Sequence, residues 1–322
     1  MMIFKDLIKR LNSSEPLVIT GHIDPDADAV CSMLAVFKAF NGKQKGWKLL
    51  LQDRMPEYLD FLPGYEEISL LDSSAKNSDM LLVDCNELSR ANRIGMTEND
   101  FREIWVIDHH ISDALQSPNR IIKPESAACC ELIYQLIKTA GAEIDAELAL
   151  ILYTGLVGDT GCFKQANTTS QTFAVAADLL SYDIDTETVR IRLFEQKSLA
   201  NLKLIGKALA NMESYFENQL CFLTISLSDK EAVNAGPDDC ISIVGQSLAL
   251  KGVKIGVFFE ERENNKVKLS FRSRKGFDVR AIAEHFGGGG HILAAGATVE
   301  GKLDNIKSAV KSSIAEKYFF DR

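Results

Sequence analysis

Five histidines occur in the chain, and three of them stand beside aspartates where short apolar runs end. The run Pro16–Thr20 leads into Gly21-His22-Ile23-Asp24-Pro25-Asp26-Ala27-Asp28-Ala29. Met80–Val83 leads into Asp84, and Ile104–Ile107 leads into Asp108-His109-His110. Imidazole with carboxylate is a suitable shell for manganese or zinc, and carboxylate-rich shells favour the harder ions. Each cluster also has a plainer reading. Asp26 or Asp28 could simply cap a helix, Asp84 could cap a loop, and His109-His110 could be a solvated pair. Their coincidence at strand ends argues for one shared site, because burying this much negative charge without cations would be prohibitive. A fourth piece, Gly155-Leu156-Val157-Gly158-Asp159-Thr160-Gly161, follows the apolar helical stretch Ala146–Tyr153. Its glycines allow a sharp turn ending the run at Asp159; a helix C-cap is the plainer alternative. His22, Asp26, Asp28, Asp84, His109 and Asp159 are too many ligands for one ion with an open position. They suit two ions sharing a bridging carboxylate, the usual clamp for hydrolysing a phosphate ester.

A second group lies late in the chain. Gly287-Gly288-Gly289-Gly290-His291 precedes Ile292–Gly296, which is expected to begin a short apolar helix. Consecutive glycines at a helix N-terminus would expose backbone N–H groups to an anion. No Gly-Lys-Ser/Thr follows, so this is not a nucleotide-binding P-loop. Upstream, Ser270-Phe271-Arg272-Ser273-Arg274-Lys275 puts cations at a strand end, which suits phosphate or carboxylate. A flexible linker with a solvated basic turn is the alternative. His285, among apolar neighbours on a helix, reads as structural.

The elements that must position these groups alternate in type. Pro16–Thr20, Trp47–Leu51, Met80–Val83 and Ile104–Ile107 read as strands, with a helix such as Ala29–Phe40 between them. That rhythm predicts an α/β fold with a parallel sheet and helices on both faces. In such sheets ligands bind beyond the carboxyl ends of the strands, where His22, Asp84 and Asp108–His110 fall. Helical patterns follow at 126–140, 145–157 and 169–182. The charged stretch 186–212 reads as a helical linker. Leu220–Ile225, Lys254–Phe259 and Lys266–Phe271 read as strands of a smaller C-terminal α/β domain with a mixed sheet, and 279–286 and 305–317 as its helices. The expected domains are 1–185, the linker 186–212, and 213–322.

Composition narrows the classes. The 322 residues are 46% hydrophobic and 25% charged, ordinary for a two-domain globular chain. The apolar stretch Leu148–Val157 is too short to cross a bilayer, which needs about 20 residues. The N-terminal MMIFKDLIKRLNSSE reads as an amphipathic helix rather than a signal peptide. Seven cysteines, an odd count without CxxC, argue for reduced core thiols. A cytoplasmic setting is therefore expected. The net charge of −9 argues against a binder of long nucleic acid, which usually carries a basic surface.

Together these motifs resemble the DHH phosphoesterase superfamily, named for the triplet present here as Asp108-His109-His110. His22-x-x-Pro25-Asp26-x-Asp28-Ala29 is similar to its first motif, Val83-Asp84 to its second, and Gly158-Asp159-Thr160-Gly161 to its fourth. Ser270–Ser273 with Gly287–His291 and Ala295-Gly296 resembles the DHH-associated C-terminal domain. One departure is Cys31-Ser32, where many members have Gly-Ser. The compact two-domain form is similar to the nanoRNase and pAp-phosphatase group, whereas the single-strand exonuclease branch is much longer.

The resemblance implies roles. His22 and Asp26 would hold one manganese, and Asp28, His109 and Asp159 the other, with Asp84 bridging. His110 would contact the scissile phosphate and Asp108 would orient the two histidines. Arg272, Ser273, Gly288, Gly289, Gly290 and His291 would hold the far end of the substrate. The implied activity is manganese-dependent, two-metal hydrolysis of oligonucleotides of about two to five residues, or of pAp, to nucleoside monophosphates. Alternatives are turnover of cyclic di-AMP or pApA, or a nucleotide sensor without catalysis. No membrane partner is implied; a homodimer is plausible by analogy.

Overall fold

A computed structural model describes residues 4–110, 118–236, 239–241 and 243–319, so the first three residues of the expected N-terminal helix lie outside it. The chain divides into two compact units, Met1–Gln196 and Lys197–Arg322.

The first unit is built on six parallel strands: β1 (Leu17–Thr20), β2 (Lys48–Leu51), β3 (Ile68–Leu70), β4 (Asp79–Val83), β5 (Ile104–Asp108) and β6 (Arg120–Ile122). Their spatial order is β3-β2-β1-β4-β5-β6. Register pairs Ile19 with both Leu49 and Leu81, and Leu81 with Trp105. The order reverses between β1 and β4, where the connections leave in opposite directions and open a crevice at the strands' carboxyl ends.

Strand residues alternate between two cores, as the pleat requires. Leu17, Ile19, Leu49, Leu51, Leu81, Val83, Trp105 and Ile107 face one side. There they pack with the helices Lys5–Leu11, Ala27–Ala39, Cys129–Ala140, Ala146–Asp159 and Ser170–Leu180. Val18, Leu50, Met80, Leu82, Ile104 and Val106 face the other. That second face is covered more thinly, by the short helix Leu88–Ala91 and by single turns at Ser73–Ala75 and Glu98–Asp100.

The helix Ala146–Asp159 corrects the expectation of a glycine turn. It continues through Gly155 and Gly158 to Asp159. A Cβ on Gly155 would meet Cys130 Sγ at 2.3 Å, and one on Gly158 would meet Ala27 Cβ at 2.8 Å. These glycines let helices touch; they do not bend the chain.

Within the stretch 186–212 the helix Thr186–Arg190 runs into a π-helical turn, Ile191–Glu195. A new helix, Leu199–Ala210, starts at a Ser198 cap and buries Leu204 and Ala208 in the second unit.

The second unit carries β7 (Glu213–Tyr215), β8 (Leu220–Ile225), β9 (Ile255–Arg262), β10 (Lys266–Ser273), β11 (Gly289–Gly290) and β12 (Ala294–Glu300). Their order is β11-β12-β10-β9-β8-β7, and the sheet is mixed because β8 and β9 run parallel while the other neighbours are antiparallel. Phe222, Val257, Phe259, Leu269 and Phe271 pack under the helices Arg280–His285 and Leu303–Tyr318. Cys221, Leu223 and Phe258 face Leu199–Ala210.

The glycine run is a second correction. It is followed by a strand, β12, and not by a helix; Gly289 and Gly290 pair with Gly296 and Ala295. A Cβ on Gly288 would lie 2.0 Å from the Gly296 carbonyl. The glycines are set by close approach within a hairpin, so no helix N-terminus stands behind the proposed anion contacts. His291 closes the hairpin by exchanging backbone bonds with Ala294 and is exposed.

Candidate active site

The strand ends of the first unit deliver the sequence-predicted residues to one place. His22 leaves β1 in a loop tied down by Ile23 N–H to the Arg90 carbonyl (2.6 Å) and by Asp24 N–H to the Asp53 carboxylate (2.9 Å). Asp26 then caps the helix Ala27–Ala39, its Oδ1 accepting from the N–H groups of Asp28 and Ala29. The capping role and a place in the site coexist, since the Asp26 side chain is 54% exposed at the mouth. Asp84 follows β4 directly and holds a left-handed backbone (φ 53°). That conformation costs energy in most residues and clusters at functional sites. Asp159 sits on the last residue of its helix.

Asp84 lies at the centre. Its Oδ2 is 3.5 Å from His22 Nε2, and its Oδ1 is 3.3 Å from His109 Nε2 and 3.4 Å from His110 Nδ1. His22 Nε2 also lies 3.8 Å from Asp26 Oδ1. His109 Nε2 lies 3.9 Å from Asp28 Oδ2 and 3.7 Å from Asp159 Oδ2. Three groups thus gather potential ligand atoms within 4.8 Å of one another: His22 with Asp26 and Asp84; Asp28 with His109 and Asp159; and Asp84 with Asp108, His109 and His110.

Backbone contacts choose which ring nitrogen faces inward. His22 Nδ1 pairs with the Ile23 carbonyl (2.8 Å) and His109 Nδ1 with the Ser126 carbonyl (3.2 Å), leaving both Nε2 atoms toward the aspartates. Asp108 Oδ1 accepts from the backbone N–H groups of His109 (2.7 Å) and His110 (3.1 Å) and pairs with His110 Nδ1 (2.7 Å). Asp28 accepts the N–H groups of Cys129 (2.5 Å) and Cys130 (2.9 Å), the first turn of the following helix. Ser126, Asn86 (which donates to the His110 carbonyl, 3.2 Å) and Asn167 support the site and were not singled out from sequence. Ser126 acts through its backbone carbonyl, and Asn86 and Asn167 through side-chain amides that donate to backbone carbonyls far from them in sequence, contacts that leave no spacing to read.

The electrostatics are those of a cation site. Burial opposes charge on His22, yet Asp26 and Asp84 outweigh it and hold the ring well above the ordinary imidazole range. His109 is raised in the same way, chiefly by Asp84. Asp84 is buried too, but the surrounding imidazoles hold it well below the usual carboxylate range. Burial, with repulsion from Asp84 and Asp159, pushes Asp28 well up. Burial likewise raises Asp159 to about 7. Asp84 Oδ1 and Asp108 Oδ2 are buried and accept no aligned hydrogen bond among the described residues. Carboxylate oxygens left this way, with imidazole nitrogens beside them, fit a divalent cation.

In the second unit, Arg272 pairs with Ala294 across β10 and β12, and its guanidinium donates to the Phe271 carbonyl. Ser273 Oγ donates to the Phe277 carbonyl. Arg272 and Ser273 therefore lie beside the glycine hairpin, but Ser273's hydroxyl is already used internally.

Comparison with known proteins identifies the family. Residues 16–156 match the DHH family, N-terminal domain, and residues 218–316 match the DHHA1 domain. The chain is 32% identical over 306 residues to the bifunctional oligoribonuclease and PAP phosphatase NrnA of Thermus thermophilus, covering 94% of this chain and 90% of that one. It is 27% identical to the protein of the same name from Bacillus subtilis, covering 91% and 92%. A crystal structure of an exopolyphosphatase-related protein from Bacteroides fragilis superposes with a TM-score of 0.90 at 25% identity, covering 98% of this chain and 96% of that one.

Proposed function

Because the chain belongs to the DHH phosphoesterase family and is a hydrolase, we propose that it cleaves very short oligonucleotides, and pAp, to nucleoside monophosphates. The observation that carries this reading is Asp84, whose two oxygens face His22 on one side and His109 on the other. One carboxylate thereby joins two ligand groups. His22, Asp26 and Asp84 would hold one manganese ion, and Asp28, His109 and Asp159, together with Asp84, would hold the second. Two such ions would supply Lewis acidity at the phosphate oxygens and make the attacking water a better nucleophile. Asp108 fixes the His110 ring through Nδ1, so that the ring's other nitrogen can reach the scissile phosphate. Water adds to phosphorus, the bond to the ribose oxygen breaks, and that oxygen leaves with a proton. Arg272, Ser273 and Gly288–His291 are proposed to contact the substrate beyond the cleaved bond. The names of the T. thermophilus and B. subtilis relatives, which pair oligoribonuclease with PAP phosphatase, support the substrate range. Seven free cysteines, six of them buried, support a cytoplasmic setting. No described helix is long and apolar enough to cross a membrane.

A product assay with manganese tests the proposal. The panel is pAp, pApA, mixed dinucleotides, cyclic di-AMP and a long single strand. Mononucleotides should accumulate from the short linear substrates and pAp, with Asp84→Ala losing this activity. Cleavage restricted to cyclic di-AMP and pApA would replace the proposal with second-messenger turnover. Nucleotide binding without hydrolysis would replace it with a sensor.

A further inference from the structure

Asn167 lies eight residues beyond Asp159, in the segment before the helix Ser170–Leu180. Its side-chain Nδ2 faces three acceptors. It donates to the Ala127 carbonyl (2.8 Å) and lies 3.2 Å from the Asp159 carbonyl and 3.4 Å from Asp159 Oδ2. Its Oδ1 is buried and accepts nothing among the described residues. The amide's three hydrogen bonds are all donations, and each ends on a site-bearing segment.

The Ala127 end of this contact matters as much as the Asp159 end. The neighbouring Ser126 carbonyl pairs with His109 Nδ1, and the N–H groups of Cys129 and Cys130 hold Asp28. Glu131 clamps the same segment, accepting from Ala127 N–H (3.4 Å) and from the Thr172 hydroxyl (3.0 Å). The turn 126–130 thus supports two of the three residues in the Asp28, His109 and Asp159 group, and Asn167 ties the third to it. Asp159 needs such a tether. It ends a helix, its side chain is 24% exposed, and its Oδ2 is 3.7 Å from the nearest imidazole. An amide suits the task because it donates without charge. A lysine there would neutralise the carboxylate and repel a cation.

We propose that Asn167 is a positioning residue that locks Asp159 to the peptide supporting His109, and so sets the affinity of one of the two cation positions. The inference rests on the two-cation reading above. It concerns the position formed by Asp28, His109 and Asp159, and not the one formed by His22 and Asp26.

The test is manganese titration of the full-length protein by calorimetry, comparing wild type, Asn167→Ala, Asn167→Leu and Asp159→Ala. Leucine keeps roughly the volume and removes the donor. Both Asn167 variants should weaken one binding step by about 10–100-fold, the usual cost of losing a ligand's outer support. The other step and the metal-free melting temperature should stay at wild-type values. The manganese concentration giving half-maximal hydrolysis should rise by the same factor, and saturating manganese should restore kcat. Unchanged affinities, or equal weakening of both steps with a lower metal-free melting temperature, would overturn the proposal. If Asp159→Ala leaves both steps intact, the two-cation reading fails and takes the proposal with it; if only the Asn167 variants are silent, the reading stands and the proposal falls.

Discussion

At the scale of single residues, the site concentrates charge that makes sense only in company. Asp108 shows how one buried oxygen can organise a pair of histidines, by accepting two backbone N–H groups and holding His110 Nδ1. Asp108→Asn keeps an acceptor for the N–H groups but removes the charge beside His110. We expect kcat to fall about 10–100-fold, with the fold intact by circular dichroism. The titrating groups also set a pH dependence for the protein stripped of metal. His22 and His109 have raised values, so their stabilisation is complete below about 6.5, the unfolded value, and is lost as pH climbs through the folded one. Asp28 is raised and Asp159 lies at about 7. The unfolded chain ionises them near pH 4, so the folded state loses ground from there upward. Asp26 and Asp84 are shifted down and act only at more acid pH. EDTA-treated protein should therefore melt lower at pH 8 than at pH 5.5. Adding manganese should reverse the order, since cations favour the ionised ligands. A metal-free melting temperature that rises over this range would contradict the charge arrangement.

At the scale of elements, two features show what sequence could and could not reveal. His22, Asp84 and Asp108–His110 were legible because an apolar run followed by a polar residue marks a strand end, and parallel strands bring those ends together. The glycines were misread because an absent side chain has two uses, freedom to turn and room for a neighbour. Only the packing distinguishes them. Gly155 and Gly158 serve helix contact, and Gly288 serves a hairpin. The three-residue strands β3, β6 and β7 escaped notice because they are too short, and too exposed on average, to show a period. Gly155→Ala tests the packing claim. Helix propensity favours alanine by about 1 kcal/mol, but overpacking a tight contact costs about 1–3 kcal/mol. The added methyl would overlap Cys130 Sγ, so the melting temperature should drop. Cys130→Ala in the same chain should recover much of the loss, as a double-mutant cycle would show. A stabilised Gly155→Ala protein would mean that the helices have room to spare.

At the scale of the whole molecule, the candidate site residues and the glycine hairpin belong to separate units, each with its own buried cores. That division leads to a calorimetric expectation. All candidate ligands lie in the first unit, so manganese should raise the unfolding temperature of 1–196. The same titration of an isolated 197–322 fragment should show no change. A metal-dependent shift in that fragment would point to a cation site outside the groups described. The two-unit division was legible from the change in alternation after residue 186. The break at 196–198 was not, because Ser198 reads as an ordinary polar helix residue until its hydroxyl is seen capping Asn201.

The strand order has a consequence for how the chain is made. β1 is buried on both faces, and its partners are β2 and β4. Until Val83 has left the ribosome, Leu17–Thr20 has an open edge, with Leu17 and Ile19 uncovered on one face and Val18 on the other. Such a strand invites pairing with another nascent chain. The interval between the synthesis of residues 20 and 83 is thus the period of greatest aggregation risk for this protein. Slowing translation within that window should lower soluble yield more than slowing it after residue 122, when the last strand of the sheet has emerged.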